Sequence, residues 1–311
     1  MISLHIHLLG KIQIFDSKKT AITLPLKAQE LLVYLFIHCN QPHEREKLSA
    51  QLWPNVPENR SKKYLRQALW QLQTMCQDTQ SPEHAIVQLE GSWVQFNLTS
   101  NIWIDADQLH RTFIQIRDTP AQAMSADQLT AVSEVVELYR GDFVTSWYHD
   151  WCLLERERLQ SILLTMLDKL IDCCLANKQC ERGIAYVMQM LRYDKARERS
   201  HRRLMRLYYL ADNRTAALRQ YNLCKATLVQ ELNVKPSQKT IALYQHIQAD
   251  EGHNLKRLSA PPFLAPPTKS EPSTSLLALL HSIHLKLTTL QKEMQSLRQD
   301  INLRKDVSAD S

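Results

Sequence analysis

The sequence predicts a mainly α chain with a small β part: short strands, three helices and a hairpin, then helices only, then one C-terminal coiled-coil helix. Three observations carry this. Residues 2–24 alternate apolar and polar, with Ile2, Leu4, Ile6, Ile12 and Ile14 on one side of the alternation, which is the period of a strand. From Asp105 to about Asp250 the apolar residues recur at helical spacing instead. From Leu276 onward they keep an unbroken 4,3 spacing, the mark of a coiled-coil seam.

The totals bound the reading. A chain of 311 residues with 44% hydrophobic content is long enough for two or three domains with real cores. No apolar run reaches the roughly 18 residues of a membrane span. The opening MISLHIHLLGKIQIF has no basic n-region and no small-residue cleavage site, so it reads as strand and no secretory signal is expected. The seven cysteines are an odd number without CxxC spacing, which suits buried free thiols in a reducing cytoplasm. The expected division is 1–104, 105–253, a linker at 254–273 and a coiled-coil helix at 274–305.

The first segment is justified element by element. Gly10 and Asp16-Ser17 break the alternating run into two or three strands, and Pro25 ends it. Lys27–Cys39 has Leu31, Leu32, Leu35 and Phe36 at helical spacing. His43–Trp53 follows the Gln41-Pro42 turn with Leu48, Leu52 and Trp53 as its stripe, and Pro54 and Pro57 stop it. A third helix spans Glu58–Cys76. Projected at 100° per residue, Leu65, Ala68, Leu69, Leu72 and Cys76 share one face. Lys63, Gln67, Trp70 and Thr74 fall opposite, with Arg60 and Gln71 flanking them and Arg66 at the margin. Ile86–Leu98 alternates as a hairpin, with Glu90-Gly91-Ser92 as its turn. The second and third helices have the spacing of a helix-turn-helix, and the hairpin stands where a wing would.

In the second segment, helices are expected at about 105–117, 125–139, 151–177, 180–193, 197–211, 214–231 and 236–249. Gly183-Ile184 and Ala217-Leu218 open similar helices 34 positions apart, the period of tetratricopeptide helix pairs. Pro261, Pro262, Pro266, Pro267 and Pro272 then mark a semi-extended linker. Beyond it Leu276, Leu280, Ile283, Leu287, Leu290, Met294, Leu297 and Ile301 form the heptad seam, with Glu293 and Arg298 in pairing positions for a parallel homo-oligomer. An amphipathic helix lying on its own protein is the alternative.

Charge is informative by position. Residues 1–104 carry net +2, 105–253 net +1 and 254–311 net +3. The concentrated charge is Arg60, Lys62, Lys63 and Arg66, with no acidic residue after Glu58 in that helix. Lysine and arginine hold phosphates, while arginine and amide side chains read base edges. The candidate DNA-contacting set is therefore Arg60, Lys62, Lys63, Arg66, Gln67, Trp70, Gln71 and Thr74, with Arg60 and Lys62 on phosphate; the wing candidates are Glu90, Gly91, Ser92 and Trp93. The plain alternative is an ordinary solvated face, which an exposed mid-helix Trp70 argues against. A second basic run, Arg192, Lys195, Arg197, Arg199, Arg202, Arg203 and Arg206, is expected to lie partly outward, touching phosphate or an acidic surface, or else to be a solvated face with local ion pairs.

Catalysis finds little support. The five glycines are far apart, so no phosphate loop and no GxGxxG exists, and HExxH and GxSxG are absent. Cys173, Cys174, Cys180 and His201 make a poor metal set, because adjacent cysteines point to different helix faces. His5 and His7 share a strand face and read as structural. No enzyme, cofactor or metal is expected.

LPLKAQELLVYLFIHCNQPHEREKLSAQLWPNVPENRSKKYLRQALWQLQ resembles the OmpR/PhoB-type winged helix carried by antibiotic regulatory protein (SARP-type) activators. LYRGDFV (Leu138–Val144), DWCLLERERL (Asp150–Leu159) and the stretch Arg199–Ile247, with its ELNVKP turn and TIALY helix, are similar to the bacterial transcriptional activator domain. The resemblance covers about residues 1–250. It implies a DNA-binding regulator that binds promoter repeats and helps recruit RNA polymerase, with Arg60–Cys76 as recognition helix and Glu90–Trp93 as wing tip. Neither the ATPase domain of large members nor a receiver domain is read in the chain, so no nucleotide or phosphorylation switch is expected. The alternative is a protein-interaction scaffold, favoured by the low overall basicity and by Glu90.

Overall fold

The computed structural model describes residues 4–75, 85–97 and 101–250. It divides the chain into a compact unit, Met1–Asp250, and a second unit, Glu251–Ser311. The proline linker and the heptad seam lie in the second unit and outside the described residues; Cys76 and Leu98, in the first unit, also lie outside them.

Strands β1 (Leu4–His7) and β2 (Gln13–Asp16) pair antiparallel, and β1 also pairs in parallel with β6 (Ile102–Ile104). Leu4, Ile6 and Ile14 point into the core, as their alternation requires. β6 was not foreseen: three residues are too few to show a period, and the pairing partner stands almost a hundred positions away. His5 and His7 pack against Trp103 of β6, at 5.5 and 5.2 Å between ring centroids.

Helix α1 (Leu26–Ile37) follows Pro25 and buries Leu31, Leu32, Val33 and Leu35. The expected helix over His43–Trp53 is corrected: His43 and Glu44 form strand β3 and only Arg45–Leu52 is helical (α2). The backbones of His43 and Glu44 pair with Val94 and Trp93, a long-range claim that local spacing does not reveal. Helix α3 (Glu58–Thr74) buries Leu65, Ala68, Leu69 and Leu72. Strands β4 (Val87–Glu90) and β5 (Trp93–Phe96) form the hairpin, giving a second sheet of order β3-β5-β4. Glu90 pairs with Trp93, so the turn is the two residues Gly91-Ser92 rather than three. Gly91 takes φ 57°, a value that favours glycine at the first loop position.

The helical part contains α4 (Asp105–Ile116), α5 (Ala126–Glu137), α6 (Asp150–Ala176), α7 (Cys180–Tyr193), α8 (Glu198–Leu210), α9 (Arg214–Leu232) and α10 (Gln238–Ala249). Ser125 and Gln128 close a capping box at the start of α5. From α6 onward each helix packs on the one before it, and the repeat is visible atom by atom. Lys178 and Asp212, 34 apart, both adopt positive φ. The Gln179 N–H donates to the Cys174 carbonyl, and the Asn213 N–H donates to the Tyr208 carbonyl, with the same offset. Gly183 and Ala217 are buried at matching positions. A Cβ on Gly183 would lie 2.8 Å from Leu207 Cδ2, so the glycine permits a close helix crossing.

Two family stretches are explained by the joint between the sheet and the helices. The loop after α5 returns to β1: Gly10 N–H donates to Asp142, Val144 N–H to Leu8 and Thr145 N–H to Gly10, at 2.8–3.1 Å. The Cβ position of Gly141 lies 3.4 Å from the Gly10 Cα, so the two backbones pass in van der Waals contact. Arg156 of α6 donates to the carbonyls of Phe143, Val144 and Trp147, which pins LYRGDFV under DWCLLERERL. The ELNVKP turn is a helix stop: Asn233 is left-handed, and the N–H groups of Asn233 and Val234 donate to the carbonyls of Val229 and Leu228.

The second basic run divides: Arg192, Lys195 and Arg199 are exposed, whereas Arg197, Arg202 and Arg203 are drawn into local ion pairs and Arg203 is buried. Arg203 is 4% exposed and bridges Asp168 and Asp172 of α6, Arg197 reaches Asp168 at 2.6 Å, and Arg202 lies against Glu198 and Thr240. These arginines spend their charge on neighbouring helices. The acidic partners are 29 to 35 positions distant on α6, or a turn away at Glu198.

Candidate nucleic-acid interface

The site is built on α3, and the helix is held by its apolar side. Leu65, Leu69 and Leu72 are each at most 4% exposed. Burying such a side chain contributes roughly 1.5–3 kcal/mol. Rotating α3 about its axis would expose all three, so the orientation of the opposite face is firm.

That opposite face carries Arg60, Lys63, Arg66, Gln67 and Trp70, all exposed. Arg60, Lys63 and Arg66 make no ion pair among the described residues, and Trp70 has no ring or hydrogen-bond partner among them. Trp70 is 62% exposed. A face that leaves three cations and an indole unspent is free to meet an anionic partner.

Other members of the candidate set stand differently. Lys62 reaches Glu46 of α2 at 2.7 Å and Glu58 at 2.6 Å. Hydrogen bonds to these carboxylates hold its ammonium above the usual lysine range, and the same contact holds Glu46 below the usual glutamate range. Lys62 thus fastens α2 to α3, with its charge already matched. Thr74 donates to the Gln71 carbonyl at 3.0 Å, and both residues are half-buried. Tyr64, which the helical projection did not single out, is partly exposed against Trp53, with 6.2 Å between ring centroids.

The wing lies in the sheet that also ends at α2. The Arg45 N–H donates to the Ser92 carbonyl at 3.0 Å, tying the start of α2 to the turn. Trp93 is 42% exposed. From Val87 to Asn97 the hairpin has no lysine or arginine, and Glu90 is its one charge. The set therefore divides into an unpaired basic face on α3, a paired Lys62 and an uncharged or acidic wing.

The family model described as Bacterial transcriptional activator domain matches residues 104–248. Among solved structures, the chain is similar to Mycobacterium tuberculosis EmbR in complex with a low affinity phosphopeptide, with 18% identity and a TM-score of 0.60 over 83% of this chain and 69% of that chain. At that identity the likeness shows the fold. No curated protein matches the chain. The helical part of the chain, residues 104–248, is thus similar to the bacterial transcriptional activator domain, and the fold of the described residues is similar to that of EmbR. Among the described residues no helix is long and apolar enough to cross a membrane.

Proposed function

We propose that the chain regulates transcription by binding double-stranded DNA in a sequence-specific way, as an activator on promoter repeats, with α3 in the major groove. One observation carries the reading: α3 presents Arg60, Lys63 and Arg66 unpaired, beside Gln67 and an exposed Trp70. Phosphate contacts from cations supply affinity and register, and base contacts from arginine, amide and apolar groups supply choice. Arg60 and Lys63 would hold phosphate, Arg66 and Gln67 would read base edges, and Gln71 would border the contact. The wing, lacking cations, would add little phosphate affinity.

The remaining parts of the reading rest on the family and on the sequence. The helical domain from residue 105 would touch RNA polymerase or a neighbouring protomer. The heptads from Leu276 to Ile301 would hold copies together and so multiply the phosphate contacts. A titration of the full chain against DNA from its own upstream region, beside a scrambled duplex of the same composition, tests the reading. Preference for the native duplex, with transcription stimulated in a purified system, is the expected result. Equal weak binding to both duplexes would favour instead a protein-interaction scaffold, the reading that Glu90 at the wing turn supports.

A further inference from the structure

Trp70 is the residue of the α3 face that phosphate binding does not explain. Its neighbours on that face are cationic or amide-bearing, and from Asn59 to Thr74 there is no carboxylate. An acidic or phosphate-rich surface would satisfy Arg60, Lys63 and Arg66 and leave a 62% exposed indole in water. Leu69 and Leu72 are seated in the core, so Trp70 cannot turn inward without uncovering them. The major groove offers one apolar group, the C5-methyl of thymine, and that base also presents the O4 acceptor beside it. An indole has an apolar body and a single N–H donor, which complements thymine better than it complements the other three bases.

We propose that Trp70 is a specificity-determining residue that selects thymine at one position of each half-site, by packing on the methyl group. The inference rests on the DNA-binding reading above and adds the base. Arg66 precedes Trp70 by four positions, about 6 Å along the helix axis, which is one to two base-pair steps. The selected thymine therefore lies within about two base pairs of the base that Arg66 contacts.

The test uses the full chain and its own upstream duplex, with thymines replaced one at a time by deoxyuridine, which lacks only the methyl. Affinity is measured for wild type, Trp70→Ala and Trp70→Phe. Wild type should lose about fourfold at one thymine per half-site, the effect of unburying one methyl-sized group. Trp70→Ala should bind the native duplex more weakly, be indifferent to deoxyuridine at that same position, and keep the wild-type salt dependence. Trp70→Phe should retain part of the response. Because the side chain is exposed, thermal unfolding of the variants should match wild type. The inference is overturned if no thymine position couples to residue 70, or if Trp70→Ala binds as tightly as wild type, in which case the indole serves a protein partner. If wild type itself prefers no DNA, the DNA-binding reading fails and this inference fails with it, whereas loss of coupling alone leaves that reading standing.

Discussion

The Asp105 carboxylate accepts the backbone N–H of Leu8 at 2.8 Å. The same carboxylate accepts Leu9 N–H at 3.1 Å and Ala106 N–H at 2.7 Å, and it is 1% exposed. One side chain at the first position of α4 thus satisfies the amides where β1 ends, and joins the winged helix to the activator domain. In Asp105→Asn an amide NH2 would face one of these donors. The expected cost is about 2–3 kcal/mol, the range for a buried hydrogen bond to a charged group. Urea unfolding of the variant beside wild type checks it.

Arg203 is a structural residue in this account. It bridges Asp168 and Asp172 while almost fully buried. Arg203→Ala should lower stability by about 3 kcal/mol, because it takes the close partner from Asp172 and one of two arginines from Asp168. Calorimetry reads that loss. DNA affinity, measured at a temperature where the variant is folded, should be unchanged.

The helix crossing at Gly183 makes a third prediction. A methyl there meets Leu207 and Cys174 side chains at 2.8 and 3.1 Å. Gly183→Ala should destabilise by about 1–2 kcal/mol net, overpacking outweighing the gain in helix propensity. Ala217, one repeat later, already holds its methyl without strain. Ala217→Gly should therefore cost about 2 kcal/mol, from helix propensity together with the loss of a buried methyl. Equilibrium unfolding of both variants separates the two causes.

His201 gives the pH dependence a sign. Its Nε2 donates to the Lys195 carbonyl at 2.8 Å and its Nδ1 accepts from Gln220 at 2.6 Å, so the neutral ring is the one that fits. Burial pushes its pKa below the ordinary 6.5. Burial likewise lowers His38, assisted by His43, and His110, assisted by Arg158. In the unfolded chain these rings take up protons near pH 6.5, whereas the folded chain resists until lower pH. Their contribution is complete above about pH 6.5 and is lost as pH falls through the lowered folded values. Urea midpoints between about pH 7.5 and about pH 5.5 should fall more steeply in wild type than in His201→Gln.

Much of the helical part was legible because its period is strong and its stops are chemical. The span Cys180–Tyr193 is found as expected, and the other helix ends agree within two residues. Pro25, Pro57 and the left-handed Asn233 mark boundaries that need no partner. What escaped was set by distant pairing. β3 and β6 exist because β5 and β1 claim them, and residues of two or three positions carry no period of their own. The exposure of Lys63, Arg66, Gln67 and Trp70 was legible because four apolar residues fix the opposite side of α3. The pairing of Lys62 with Glu46 was not legible, since a position on a wheel says nothing of a carboxylate on another helix. The local ion pairs of the α8 arginines were among the expectations, but the burial of Arg203 was not, because its partners Asp168 and Asp172 lie on α6.

The most direct test of α3 as the interface is the salt dependence of DNA affinity for wild type, Lys62→Ala and Lys63→Ala/Arg66→Ala, between about 50 mM and about 200 mM salt. The account predicts that the double variant loses most of its preference for the native duplex and that its log–log slope shrinks by about 1–2, while Lys62→Ala changes far less. A double variant with wild-type affinity and slope would contradict it and would move the DNA contact, if there is one, off this helix.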